Sequence, residues 1–222
     1  MDLKSHTVKS YDKDIQSISA TIDDMLNLSV ESIEMVEHLL KKPQEGFVDR
    51  ITSHDYKINS LDNLIEKKVT SMLALRQPMA VDLRYVISSL RVSGSLERIG
   101  DQAKSVIKKI SKLADHTIEN DIKNSLLKML EISKVMVRNS VYAFNNHDLE
   151  KSKIVLEQDD KIDDIYREMF AILDNSNIDT KKMRLMINIL FIAKSLERLA
   201  DHATEIAGIT NYVITGEIIE NS

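Results

Sequence analysis

Residues 95–103 read SLERIGDQA, and residues 195–203 read SLERLADHA. The agreement extends upstream without a gap, so that nine of the 21 positions from 84 to 104 are identical to the position 100 residues later. A second match precedes it, because DYKIN at 55–59 corresponds to DDKID at 159–163 with an offset of 104. Self-similarity over this length indicates a duplicated unit and therefore two similar halves.

Apolar residues recur at spacings of three and four throughout both halves, which is typical of long amphipathic helices. The periodicity predicts helices from about 15 to a stop near Lys42, then over about 47–75, 79–114, 118–145, 148–174 and 179–215. Pro43, Pro78 and polar segments at 115–117, 145–148 and 174–177 supply the connections. Short connections between long helices favour antiparallel neighbours. The predicted fold is all-α, with six long helices forming two tandem, duplicated three-helix bundles over residues 8–114 and 118–215.

Composition excludes several kinds of site. The formal charge is −5, and Lys and Arg are scattered among Asp and Glu, which argues against nucleic-acid binding. The sequence contains no Cys, so that carboxylates and imidazoles are the strong side-chain metal ligands it offers. The N-terminus lacks an apolar signal region, and the longest nearly apolar run, 185–193, is far shorter than the ~18 residues of a membrane span. We expect a soluble, cytoplasmic protein with no transmembrane segment.

Two pairs of carboxylates lie inside the repeated stretch, each in the pattern Glu-x-x-x-Asp. At about 100° per residue, Glu97 and Asp101 fall on the side of the third helix opposite its apolar stripe, and Glu197 and Asp201 repeat this layout on the sixth helix. We therefore expect both pairs to be accessible to solvent. Like charges four residues apart destabilise an isolated helix, which indicates that something compensates them.

Further oxygen-bearing side chains lie on the helix before each pair. Asp55, Asn59 and Asp62 share a face of the second helix, and Asp159 and Asp163 share a face of the fifth. If antiparallel packing brings these helices beside the third and sixth, each bundle offers three or four oxygen ligands from two helices. The candidate metal ligands are Asp55, Asn59, Glu97 and Asp101 in the first half, and Asp159, Asp163, Glu197 and Asp201 in the second.

Oxygen ligands favour hard cations such as Mg²⁺, Mn²⁺, Ca²⁺ or Fe³⁺ over Zn²⁺. A single Glu-x-x-x-Asp motif is common on solvated helix faces, where a residue such as Arg98 or Lys104 would neutralise it. Recurrence of the motif with its neighbours in both halves is what favours metal binding. His54 and His202 each adjoin a candidate ligand, but neighbouring residues on a helix point about 100° apart, so neither is counted as a ligand.

The usual signatures of catalysis are missing from the sequence. No Glu is followed by His three residues later, as a carboxylate-bridged di-iron oxidase would require. There is also no Gly-rich phosphate loop, nucleophile elbow or Walker motif. These observations predict a binding or regulatory role, without catalytic residues, and not an enzyme.

The segment RQPMAVDLR at 76–84, the ERIGD motif at 97–101 and the ERLAD motif at 197–201 resemble the PhoU family. Length, six helices and the internal repeat also fit, so the resemblance covers nearly the whole chain. Two positions depart from it. Asn59 replaces a carboxylate, which makes equal metal binding by the two halves doubtful, and Ala200 replaces the Gly found at position 100.

This resemblance implies a pair of three-helix bundles that bind multinuclear iron or other ions, such as Fe³⁺, Mn²⁺ or Mg²⁺, at their surface Glu/Asp-x-x-x-Asp motifs. It implies a cytoplasmic, non-enzymatic negative regulator of phosphate uptake, phosphate homeostasis and the phosphate-starvation response. The implied partners are the ATP-binding subunit of the phosphate ABC transporter and a membrane sensor histidine kinase. A homodimer is also implied.

Three other functions remain open on the sequence. The chain could be an accessory protein of a different phosphate transporter, although the RQP and ERIGD segments favour the PhoU family. It could be a metal-dependent phosphohydrolase in which a pair of ions activates water, which an assay with phosphate esters would reveal. It could also be a helical adaptor without metal, which elemental analysis would reveal.

Overall fold

Six helices account for the regular structure of the described chain. The computed structural model describes residues 3–42, 46–113, 118–174 and 180–217. Its helices are α1 (Leu3–Lys41), α2 (Phe47–Arg76), α3 (Ala80–Ser111), α4 (Asn120–Asn146), α5 (Leu149–Asp174) and α6 (Thr180–Thr215). The prediction of an all-α chain with six long helices is confirmed.

The helix ends follow the local signals in the sequence. α2 ends at Arg76, because Gln77 adopts a left-handed conformation with φ of 50° and Pro78 follows it. α4 ends where His147 adopts a φ of 53°, and the Asp148 side chain accepts a hydrogen bond from the backbone N–H of Lys151 in the first turn of α5. The predicted connections at 43–45, 115–117 and 175–177, and the predicted end of the first repeat at 114, lie outside the described residues.

Each half of the chain forms a three-helix unit. α1, α2 and α3 pack against one another, and so do α4, α5 and α6. The apolar stripe predicted on α3, consisting of Val92, Leu96, Ile99, Ala103, Val106, Ile110 and Leu113, is buried throughout. The units are also joined, because α3 packs on α6 and α1 on α4, and the buried residues of both form one continuous core.

The central pair of helices, α3 and α6, runs antiparallel. Ser95 donates a hydrogen bond of 3.0 Å to Glu205, while Lys109 donates one of 2.7 Å to Ser195. Ser95 and Ser195 occupy equivalent positions of the two repeats, so each repeat contacts the other through the same position. The two units are therefore related by an approximate two-fold axis between α3 and α6. None of the described helices is both long and apolar enough to span a membrane.

Candidate functional site

Four carboxylates come together on α2 and α3. This first cluster consists of Asp55 and Asp62 from α2 and Glu97 and Asp101 from α3. Asp55 and Asp62 are seven residues apart and share one helix face, and Glu97 and Asp101 are four apart and do the same. Antiparallel packing of α2 on α3 therefore brings together residues that are about 40 positions apart in the sequence.

A glycine allows α2 to approach α3 closely at this cluster. Gly100 is buried and lies between Glu97 and Asp101 in the sequence. A Cβ atom added to it would lie 2.8 Å from Cδ1 of Ile58. Carbon atoms in contact are ordinarily about 3.5–4.0 Å apart. The absence of a side chain at this position thus lets Ile58 fill the space over the α3 backbone, directly beside the carboxylates.

The carboxylates of the first cluster repel one another. Burial and the charges of Asp101, Asp62 and Asp55 raise the pKa of Glu97 above its usual value, and Arg98 opposes this only in part. Burial and the adjacent Asp55 likewise raise the pKa of Asp101. One cation enters the cluster directly, since Nζ of Lys104 lies 2.5 Å from Oδ2 of Asp55.

The second cluster consists of Asp159 and Asp163 from α5 and Glu197 and Asp201 from α6. Burial, followed by the charges of Glu197, Asp159 and Asp163, raises the pKa of Asp201 to about 6 against the opposing charge of Lys194. Burial and the charge of Asp163 also raise the pKa of Asp159. The charges of Glu197 and Asp163 thus oppose the ionisation of both Asp159 and Asp201.

The prediction that both Glu–Asp pairs are freely accessible is only partly correct. Asp101 and Asp201 are exposed, but Glu97 is half-buried and the Glu197 side chain is only 12% exposed. Oε2 of Glu197 and Oδ1 of Asp159 are both buried without a hydrogen-bond partner in the described structure. The reason is that α5 covers the part of α6 that carries Glu197, which the pattern of α6 alone does not reveal.

Two cations contact the second cluster directly. Nη2 of Arg167, which is largely exposed, lies 3.5 Å from Oδ2 of Asp163, and Lys194 enters from α6. Nζ of Lys194 donates a hydrogen bond to Oε1 of Glu197 and lies 5.5 Å from the centre of the Tyr166 ring. Burial lowers the pKa of Lys194, but the hydrogen bond to Glu197 and the charges of Glu197 and Asp201 outweigh this effect and raise it overall.

The remaining predicted residues divide into those near and those away from the clusters. Among the described residues, the Asn59 amide makes no hydrogen bond with the carboxylates, although it is half-buried on the same face of α2. Arg98 pairs with Glu205 across the central helix pair, at 3.7 Å. His54 faces Glu31 at 3.7 Å and His202 faces Glu205 at 3.6 Å.

Two residues of the site were left off the list of candidate residues, although Asp62 had been placed on the same face of α2 as Asp55 and Asn59. Asp62 replaces the carboxylate that Asn59 lacks, so that both clusters contain four carboxylates. Lys194 was not considered, although it precedes Glu197 by three residues and therefore shares its helix face. That spacing was the signal in the sequence.

The carboxylate oxygens of both clusters suit a hard cation, but they are not arranged around one ion position. Across the described ranges, no three Asp, Glu or His side chains are arranged so that they could hold one ion. The unpartnered oxygens of Asp159 and Glu197 and the mutual repulsion in both clusters nevertheless fit the chemistry of oxygen-ligated ions. The carboxylates would have to turn toward an ion to bind it.

Comparison with known proteins supports the same architecture. Residues 22–110 and 126–210 each match the PhoU domain. A phosphate-specific transport system accessory protein PhoU homolog from Xylella fastidiosa is 35% identical over 96% of this chain and 88% of its own length. A protein of the same name from Caulobacter vibrioides is 30% identical over 97% of this chain and 94% of its own length.

Solved structures show the same fold. The crystal structure of the phosphate transport system regulatory protein PhoU from Streptococcus pneumoniae superposes with a TM-score of 0.86 at 25% identity, over 95% of this chain and all of that one. PhoU from Pseudomonas aeruginosa gives a TM-score of 0.74 at 24% identity, over 96% and 99% of the two chains. With both repeats matched and relatives at 30% identity or more along nearly the whole sequence, the chain belongs to the PhoU family.

Proposed function

We propose that this chain regulates phosphate uptake and phosphate homeostasis as an accessory protein of a phosphate-specific transport system. The observation that carries the proposal is the match over nearly the full length of relatives that bear this description, at 30–35% identity. The match includes both repeats, and the two acidic clusters occupy equivalent places in them. The function rests on both halves and not on one isolated motif.

The role is regulatory and is exerted through protein contacts. We expect the chain to act in the cytoplasm, to associate as a homodimer, and to restrain the transporter by binding its ATP-binding subunit. A sensor histidine kinase is the second expected partner, through which phosphate-starvation signalling would be repressed. Long exposed helix faces of a bundle are surfaces of the kind that such partners bind.

The acidic clusters are proposed as metal sites of this regulator. Asp55, Glu97 and Asp101, with Asn59 or Asp62, would hold an ion in the first repeat, and Asp159, Asp163, Glu197 and Asp201 would do so in the second. A bound Fe³⁺, Mn²⁺ or Mg²⁺ would supply positive charge that relieves the repulsion among these groups. The proposed role of the ions is structural and regulatory, without catalysis.

Complementation tests the regulatory function. In a bacterial strain that lacks its own PhoU homolog, this chain should restore repression of phosphate uptake under phosphate-rich conditions. It should also retain the transporter's ATP-binding subunit or the kinase cytoplasmic domain in a pull-down. A chain that is expressed and folded but restores no repression and retains neither protein would contradict the proposal, as would turnover of phosphate esters with added metal.

Thermal unfolding tests the metal sites separately. Mn²⁺ or Fe³⁺ at a hundredfold excess over Kd should stabilise the protein by about 2.7 kcal/mol, and a chelator should reverse the shift. The double variant Glu197→Gln/Asp201→Asn should lose the contribution of the second cluster, and Glu97→Gln/Asp101→Asn that of the first. Amide substitutions keep the side-chain volume, so the helices should persist in far-UV circular dichroism. A full metal-induced shift in both double variants would exclude these residues as ligands.

A further inference from the structure

Each acidic cluster is contacted by one lysine, and the two lysines enter from different places. In the first repeat the lysine is Lys104, and the equivalent residue of the second repeat is Thr204. In the second repeat the lysine is Lys194, and its equivalent in the first is Gly94. Each repeat thus has one lysine where the other has a residue without charge.

The residues around each lysine also differ from those around the equivalent uncharged position of the other repeat. Lys104 pairs with Asp55 at 2.5 Å, while Thr204 is next to Asp159, the equivalent of Asp55. At the other end of the cluster, Lys194 lies over the ring of Tyr166, which stands where the first repeat has Asp62. Both clusters consequently carry four carboxylates and one directly bound ammonium group, and the second also has the exposed guanidinium group of Arg167 beside Asp163.

An ammonium group and a metal ion compete for the same carboxylate oxygens. Lys104 is bound to Asp55 and Lys194 to Glu197, and both carboxylates are proposed ligands. The side chains of Asp55 and Glu197 are each only 12% exposed, so there is little room for both cations on one carboxylate. The unpartnered oxygen of Glu197, Oε2, is the one that Lys194 does not occupy.

We infer that Lys104 and Lys194 are internal counter-cations that hold the two clusters in the metal-free protein, leave them when an ion binds, and thereby weaken the metal affinity of their own repeat. This inference rests on the metal sites of the proposed function. It adds the residues that set the affinity of each site. Each lysine holds one carboxylate that the ion would need.

Mn²⁺ binding, measured by titration calorimetry in single-cluster proteins, tests the inference. Glu97→Gln/Asp101→Asn leaves the second cluster intact, and in this protein Lys194→Met should bind Mn²⁺ roughly fivefold more tightly, as expected for release of a partly exposed ion pair. In the reciprocal protein, which carries Glu197→Gln/Asp201→Asn, Lys104→Met should have the same effect on the first cluster. Lys153→Met removes an exposed lysine of α5 and should leave both affinities unchanged.

A second variant tests the opposite direction and does not depend on removing a lysine. A Cβ atom at Gly94 would meet nothing within 4 Å, so Gly94→Lys should be accepted in α3. It places a lysine in the first cluster at the position of Lys194, and Mn²⁺ binding there should become roughly fivefold weaker.

The outcomes separate this inference from the proposed metal sites. If no protein, including the unaltered chain, binds Mn²⁺, the metal sites are wrong and the inference falls with them. If the unaltered chain binds Mn²⁺ but Lys194→Met, Lys104→Met and Gly94→Lys keep its affinity, the inference alone is overturned. An equal gain in Lys153→Met would also overturn it, because the effect would then come from net charge and not from the contacts.

Discussion

Removing the negative charge of Asp201 should stabilise the metal-free protein at neutral pH. Burial and the charges of Glu197, Asp159 and Asp163 disfavour its ionised form, and Lys194 compensates only in part, so that its pKa is about 6. Asp201→Asn keeps nearly the same shape but cannot ionise. The variant therefore removes the repulsion while leaving the helix in place.

The magnitude follows from the pKa. The difference between an ordinary Asp pKa of about 4 and one of about 6 corresponds to about 3 kcal/mol. Asp201 is only partly buried and remains accessible to solvent, which screens its interactions, so we expect the variant to gain about 1–1.5 kcal/mol in free energy of unfolding.

The gain should depend on pH in a defined direction. A carboxyl group whose pKa is higher in the folded than in the unfolded protein stabilises the fold fully below about pH 4, and this contribution is lost as the pH rises through about 6. The variant and the unaltered chain should therefore differ little at about pH 4, and by the full amount at about pH 7.

Urea unfolding followed by circular dichroism, in the presence of a chelator, measures this difference. Glu131→Gln, which removes an exposed carboxylate from α4, serves as the control for net charge. With saturating Mn²⁺ the order should reverse, because the variant lacks a ligand. A variant that is less stable than the unaltered chain at neutral pH in chelator, or a gain that is equal at both ends of the pH range, would refute the reasoning.

Three other substitutions test separate features by urea unfolding. Gly100→Ala should lower the free energy of unfolding by up to about 2 kcal/mol, because a methyl group forced against Ile58 overpacks the interface while the higher helix propensity of Ala offsets about 1 kcal/mol. In an Ile58→Val background the same change should become neutral or stabilising. An unchanged cost in that background would exclude the contact as the cause. Arg84→Met should cost about 1 kcal/mol, because Arg84 is half-buried and donates to the last carbonyls of α6; no loss would show that this link between the units is immaterial. Glu37→Gln should lower the free energy of unfolding by about 0.5–1 kcal/mol at neutral pH. The hydrogen bond from Lys41 lowers the pKa of Glu37, burial opposes this effect, and Lys134 adds to it. The loss should therefore vanish as the pH falls through that pKa, which is the opposite of the Asp201 profile.

The helices could be predicted from the sequence because their signals are local. Three-and-four spacing of apolar residues fixed the helical segments, and Gln77-Pro78 marked the boundary between α2 and α3. The duplication added information that no single helix contains, because it showed which carboxylates recur.

The details of the clusters could not be predicted in the same way, since they depend on how neighbouring helices pack. Periodicity on α6 places Glu197 on the polar side, but only the position of α5 shows that its side chain is covered. The partnership of Asp62 with Glu97 depends on the register of α2 against α3. Of the two lysines, Lys104 was recognised as a neutralising residue, whereas Lys194 was overlooked although it precedes Glu197 by three residues on the same helix.

The approximate two-fold relation between α3 and α6 has an evolutionary consequence. An interface in which each partner contributes the same surface is the interface of a symmetric dimer. The present chain is thus equivalent to such a dimer whose subunits have been fused end to end. In a dimer of identical chains, a mutation at one position always appears in both copies. Fusion removes that constraint, because the two copies can then change independently. A lysine can therefore stand at position 104 without one at position 204, and another at position 194 without one at position 94.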